Sequence, residues 1–256
     1  MDGDPAIVLD GRRIELLDLP GTDAAPALVL LHEGLGSVGL WRGFPAALAQ
    51  ATGARVVAFS RYGHGASDPP PRPRTPRFMH EEALDVLPRL LDAAGIAAPI
   101  LVGHSDGASI ALIHAAAHPV HAAVAMAPHV FVEPLALDEI RAVKAGYETA
   151  GLRERMARHH RDPDAAFHGW NDVWLDPAFG GWSLEDVLPR ITCPLLLIQG
   201  VDDQYGSMAQ LDAIERAVRG PVERVHLACR HAPALEAPEA TLAAVTRFVT
   251  QVAGIA

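Results

Sequence analysis

Lysine is almost missing from this chain: Lys144 stands alone against 20 arginines. Such a skew is what a GC-rich bacterial genome is expected to produce, and it says nothing about chemistry. Positive charge is also short overall, leaving a formal net charge of −10. No basic run is long enough, or interleaved with enough aromatics, to follow a phosphate backbone, so nucleic acid is not an expected partner. No apolar stretch approaches the roughly 18 residues that a membrane span needs. The opening "MDGDPAIVLDGRR" is acidic where a secretory signal would be basic. A soluble, unexported, cytoplasmic protein with no membrane partner is therefore expected. Cysteine occurs twice, as Cys193 in "CPLLLIQG" and Cys229 at the end of "VERVHLAC". Each lies beside an apolar, strand-like run, where a small reduced thiol is commonplace.

What is present fits one sizeable domain carrying an insertion. Half of the 256 residues are apolar, enough for a large core. Short apolar runs bounded by turn residues alternate with longer segments of helical period. That pattern predicts an α/β fold with a mostly parallel eight-stranded sheet and helices on both faces. The strands are expected at Ala6 to Leu9, Ile14 to Leu17, Leu28 to Leu31, Val56 to Phe59, Ile100 to Val102, Ala122 to Met126, Leu195 to Gln199 and Val222 to Leu227. "DGRR" between the first two reads as a hairpin turn. Helices are expected at Trp41 to Ala51, Glu81 to Ala94, Ser105 to Ala117, Met208 to Val218 and Pro238 to Val252. From Glu133 to Leu188 the alternation breaks, and helical segments, aromatics and prolines appear without a convincing strand. Residues 133–188 are thus expected to form a helical cap, with 1–132 and 189–256 forming the core. The five prolines of "SDPPPRPRTPR", Ser67 to Arg77, exclude helix there and favour a surface loop.

"GHSDG", Gly103 to Gly107, is a G-x-S-x-G motif that follows an expected strand and opens an expected helix. A serine forced out at a tight strand-to-helix turn sits in strained backbone, and flanking glycines let strand and helix approach. The helix N-terminus then faces the reaction centre, where the Asp106 N–H is placed to meet an oxyanion. Serine is a weak nucleophile and needs a base oriented by an acid. "PLLLIQGVDDQYG" ends a strand in a loop with Asp202 and Asp203, and "ACRHAPALEAPEA" places His231 just after the last strand.

Over essentially its full length the chain resembles the α/β-hydrolase family, through "LLHEGLGS", "SRYGHGASD", "GHSDG", "IQGVDD" and "RHAPALEAPE" in that order. The resemblance implies Ser105 as nucleophile and His231 as base. It favours Asp203 as the acid, three residues after Gly200, although spacing alone does not separate it from Asp202. It also implies a second oxyanion donor in "LLHEGLGS", Gly34 or alternatively Leu35, where the family commonly has His-Gly-x. This chain departs from that pattern by placing Glu33 at the usual first glycine. A carboxylate there opposes a developing anion unless it is paired or turned away, so Glu33 either meets a structural partner or touches substrate or the nearby histidines.

Weaker signals lie elsewhere. His114 and His118 stand four apart on an expected helix but lack a third metal ligand, and no metal or cofactor is expected. His159, His160 and His168 are read as surface or pocket-rim residues. "RERMARHHR", Arg153 to Arg161, presents either a solvated face or an anion-recognising one. "FHGWNDVWLDPAFGGW" gathers Phe167, Trp170, Trp174, Phe179 and Trp182, which either pin the cap or line an acyl pocket, so Trp170 and Trp174 join Glu33 and Leu35 as candidate substrate-facing residues. The resemblance points to a serine hydrolase of a small-molecule carboxylic ester, lactone or thioester, similar to the compact, capped bacterial members that include carboxylesterases and enol-lactonases. Carbon–carbon bond hydrolysis and cofactor-free perhydrolysis use the same three residues, and a non-catalytic small-molecule receptor is the reading from another class. Oligomeric state is left open.

Overall fold

A computed structural model describes residues 6–22 and 25–254. The acidic opening, residues 1–5, lies outside the described residues. Eight strands form one sheet: β1 (Ala6–Leu9), β2 (Arg12–Leu19), β3 (Leu28–Leu31), β4 (Val56–Phe59), β5 (Ile100–His104), β6 (Ala122–Met126), β7 (Leu195–Gly200) and β8 (Val222–Leu227). Their spatial order is β1-β2-β4-β3-β5-β6-β7-β8. Only β2 runs against its neighbours, pairing antiparallel with β1 and β4, and the other pairs are parallel. The β1–β2 turn uses Asp10 and Gly11, both at positive φ (52° and 74°), as a two-residue hairpin requires.

Central strands are buried on both faces, which is why they read as unbroken apolar runs. In β3, Val29 and Leu31 enter one core cluster, and Leu28 and Leu30 enter the other. Helices α1 (Phe44–Thr52) and α10 (Pro238–Ala253) cover the second cluster. The first is covered by α2 (Phe78–Glu81) and α3 (Leu87–Ala93), joined through a π turn (Glu82–Val86), and by α4 (Asp106–Ala115). Between β6 and β7 come α5 (Pro134–Gly146), α6 (Leu152–Met156) and α7 (Pro163–Trp174). No strand interrupts this insertion among the described residues. After β7 come α8 (Ala209–Ala217) and, beyond β8, the short α9 (Pro233–Glu236).

The strand order reverses at β3, since β4 lies on one side of it and β5 on the other. A crevice outside the carboxyl ends of the strands forms at such a switch point. The loops after β3, β5, β6, β7 and β8 all open into it.

Candidate active site

Ser105 sits between β5 and α4 with φ 52° and ψ −120°, a left-handed backbone that is costly for a residue with a Cβ. The flanking glycines make the turn sterically possible. A Cβ on Gly103 would lie 2.4 Å from the Gly107 carbonyl oxygen, and one on Gly107 would lie 2.0 Å from that of Leu31. Helix α4 begins at Asp106, so the Asp106 N–H has no intrahelical acceptor.

Three side chains from three loops meet in a row. His231 Nε2 is 2.9 Å from Ser105 Oγ, and its Nδ1 is 2.9 Å from both carboxylate oxygens of Asp203. The carboxylate fixes the tautomer: Nδ1–H donates to Asp203, leaving Nε2 to accept the Ser105 hydroxyl proton. Asp203 is itself held by the N–H groups of Tyr205 (2.8 Å) and Gly206 (3.2 Å) and by Gln199 Nε2 (2.6 Å). Burial alone would push its carboxyl up, but the His231 hydrogen bond and charge outweigh that and hold it below the usual carboxylate range. Asp202, the neighbour that spacing could not exclude, is exposed.

Glu33 turns toward His104, the residue preceding Ser105, with Oε2 at 3.4 Å from Nδ1. The other ring nitrogen, Nε2, lies 2.7 Å from the His231 carbonyl oxygen and donates to it. Both nitrogens of His104 thus face acceptors, which calls for an imidazolium. Burial works against that charge, and the Glu33 carboxylate more than restores it, placing His104 above the ordinary histidine value. Burial likewise pushes Glu33 up, but His104 brings it down to about 2. The departure from the family pattern therefore carries a compensating cation beside it.

Glu33, Gly34, Leu35, Ser105, Asp106, Trp170, Trp174 and His231 line one cavity of about 210 Å³. All the site residues expected from the sequence except Asp203, which stands behind His231, thus border one space. Among the described residues, the N–H groups of Gly34 and Leu35 have no acceptor. Trp170 lies directly on Gly34, where a Cβ would fall 2.2 Å from the indole Nε1. Trp174 Nε1–H donates to Asp106 Oδ1 at 3.2 Å. Phe179 and Trp182 stack behind it at 5.3 Å, so the aromatic segment both pins the insertion and lines the cavity.

Several cavity residues escaped the sequence reading. His129, Tyr205 and Ile140 line the same space. His129 lies 5.7 Å from the His231 ring, its buried Nδ1 has no partner among the described residues, and burial pushes it down to about 3. Its place just after β6, at a strand's carboxyl end, was the available signal. His160, expected at the surface or a rim, is instead buried, at 4% exposure. The arginines around it do not face the Ser105 cavity: Arg153 pairs with Asp164 at 2.6 Å and Arg161 with Asp68 at 3.1 Å. His114 and His118 stack on one another, and no metal-holding group of three or more His, Cys, Asp or Glu occurs among the described residues. A larger cavity of about 410 Å³ lies between the proline-rich loop and α7, lined by Tyr62, Arg74 and Val173 among others. It contains neither Ser105 nor His231, so size does not mark the chemistry here.

A family model described as the alpha/beta hydrolase fold matches residues 26–168. The human protein "Serine hydrolase BPHL" is 30% identical over 188 residues, covering 67% of this chain and 60% of the human one. The chain thus spans under two thirds of that relative's length. Among solved structures, a hydrolase from Pseudomonas aeruginosa PA01 is 25% identical with a TM-score of 0.71, covering 96% of this chain and 97% of that one. The enol-lactonase from Burkholderia xenovorans LB400 shares the fold with a TM-score of 0.75 at 23% identity, covering 96% of this chain and all of the other. No helix among the described residues is long and apolar enough to cross a membrane. With its motif, sheet order and matching family model in agreement, the chain belongs to the α/β-hydrolase fold family.

Proposed function

We propose that the chain is a serine hydrolase that cleaves a carboxylic ester, lactone or thioester of a small molecule through an acyl-enzyme on Ser105. The observation that carries this reading is the unbroken line from Ser105 Oγ through the His231 ring to Asp203, with both steps at 2.9 Å. His231 Nε2 takes the Ser105 proton as the oxygen attacks the carbonyl carbon, and Asp203 stabilises the imidazolium that forms. The N–H groups of Asp106 and of Gly34 or Leu35 receive the oxyanion. Collapse expels the leaving group, which takes the proton from His231. Water then gives its proton to the same nitrogen, attacks the acyl carbon and releases the acid while Ser105 recovers its hydrogen.

No step calls for a metal or cofactor. Residues 133–188 act as the lid, since Trp170, Trp174 and Ile140 supply the cavity's apolar wall. A space of about 210 Å³ suits a short acyl group. Both cysteines are free thiols, in keeping with a reducing compartment such as the cytoplasm.

The test is hydrolysis of p-nitrophenyl acetate and butyrate by the parent and by Ser105→Ala. Loss of the nucleophile is expected to lower kcat by a factor on the order of 10⁴ to 10⁶ with the fold retained. A Ser105→Ala protein with undiminished turnover overturns the reading.

A further inference from the structure

Three consecutive carbonyl groups in the loop after β3 are each held by an imidazole. His32 Nδ1–H donates to the Glu33 oxygen at 2.7 Å, His64 Nε2–H to Gly34 at 2.9 Å and His160 Nε2–H to Leu35 at 3.0 Å. In every ring the second nitrogen is an acceptor. His32 Nε2 takes the Arg61 N–H (3.0 Å), His160 Nδ1 takes the Gly65 N–H (3.0 Å), and His64 Nδ1, although it also lies 3.2 Å from the Tyr62 oxygen, takes the permanently protonated Arg74 Nη2–H (2.9 Å). The network therefore selects one neutral tautomer for each histidine. Burial favours the same state, pushing all three below the ordinary histidine value.

A trans peptide points its N–H opposite its C=O. Holding the Glu33 oxygen aims the Gly34 N–H, and holding the Gly34 oxygen aims the Leu35 N–H. The Leu35 oxygen controls the next plane, whose Gly36 N–H closes the turn onto Glu33 at 3.0 Å. Leu35 is thus clamped at both of its peptides. His32 and His64 come from loops at the sheet's carboxyl end, whereas His160 comes from the insertion, between α6 and α7.

We propose that His160 is a positioning residue through which the helical insertion sets the oxyanion loop. This rests on the serine-hydrolase reading. The insertion then does more than cover the cavity: with His32 and His64 holding the two preceding carbonyls, the loop's anion-binding N–H groups keep their working orientation only while His160 also holds the Leu35 carbonyl.

Two substitutions separate the two bonds of the ring. In His160→Asn, Oδ1 replaces Nδ1 toward Gly65, but nothing reaches Leu35. In His160→Gln, Nε2–H still reaches Leu35. The rate of Ser105 labelling by a fluorophosphonate reads the oxyanion donors directly, because the phosphonyl oxygen occupies their site. Labelling and kcat on p-nitrophenyl acetate are expected to fall about tenfold or more in His160→Asn, with KM unchanged, since a single lost oxyanion donor costs roughly 100- to 1,000-fold. His160→Gln is expected to stay close to the parent, and both variants should melt within about 4 °C of it. Parental rates in His160→Asn, or a matching loss in His160→Gln, overturn the proposal. Should the asparagine variant fail to fold, His160→Leu supports the proposal by the same loss and overturns it by parental rates. Failure of the serine reading looks different: Ser105→Ala would label and turn over like the parent, whatever residue stands at 160.

Discussion

Asp202 and Asp203 are chemically identical neighbours, and their environments separate them. Asp203 is directed at His231 by three further donors, from Gln199, Tyr205 and Gly206, so its carboxylate has one available orientation. Asp202 anchors the loop by its backbone, donating its N–H to the Cys229 oxygen at 3.1 Å, while its side chain meets solvent. Asp203→Asn keeps the shape but lets the amide bind the wrong imidazole tautomer. Steady-state ester hydrolysis is expected to fall by about 10³ to 10⁴ in kcat. Asp202→Asn should leave kcat unchanged, and a large loss there would transfer the acid's role to it. Spacing alone left this choice open, because it is made by side-chain direction and by hydrogen bonds from residues two to four positions away.

Helices α4 and α7 are tied by one bond that crosses from the core to the insertion, from Trp174 Nε1–H to Asp106 Oδ1. Asp106 is buried, and its other oxygen has no partner among the described residues. Burial pushes its carboxyl up, and Arg61, Arg74 and Trp174 only partly offset that. Trp174→Phe removes the donor and leaves a buried carboxylate with neither oxygen paired. Urea unfolding should show a loss of about 1–3 kcal/mol. A parental midpoint would mean that water or Arg61 takes over the bond. This tie and the His160 contact were invisible in the sequence, for the same reason. The strands and most helices follow from local pattern: β3, β4 and β6 are contiguous apolar runs, and the G-x-S-x-G turn announces itself. Which face of the insertion turns inward is decided by packing against loops roughly 95 to 125 residues away in sequence. The π turn before α3 was equally hidden. Pro88 lacks an N–H and its ring crowds the preceding turn, and the widened Glu82–Val86 segment accommodates it without breaking the helix.

At the scale of the whole molecule, the chain stores many neutral histidines. Burial pushes His32, His64, His80, His114, His129 and His160 below the usual value, with His114 at about 4 and His129 at about 3. In the unfolded chain these groups titrate near 6.5. Between 6.5 and the folded values the unfolded state binds more protons, so the stability these groups contribute is complete above 6.5 and drains away as pH falls. Among the histidines and carboxylates, three groups act in the opposite sense. His104 is raised by Glu33, and Glu82 and Asp106 are raised by burial, so their contributions are lost as pH rises through their folded values. The six outnumber the three, and the melting temperature is expected to fall steadily from pH 7.5 to pH 5, before most carboxylates protonate. His114 isolates one contribution, since it is buried outside the lining of the Ser105 cavity and donates Nδ1–H to the Ala83 oxygen at 2.8 Å. In His114→Asn the amide hydrogen replaces Nδ1–H and no longer titrates. The difference in unfolding free energy between pH 7.5 and pH 5 should shrink by about 2 kcal/mol, the linkage value for a histidine moved from 6.5 to about 4. Denaturant curves at the two pH values measure it directly, and an unchanged difference would mean that His114 is already protonated in the folded chain, at odds with a ring buried against α2 and the π turn.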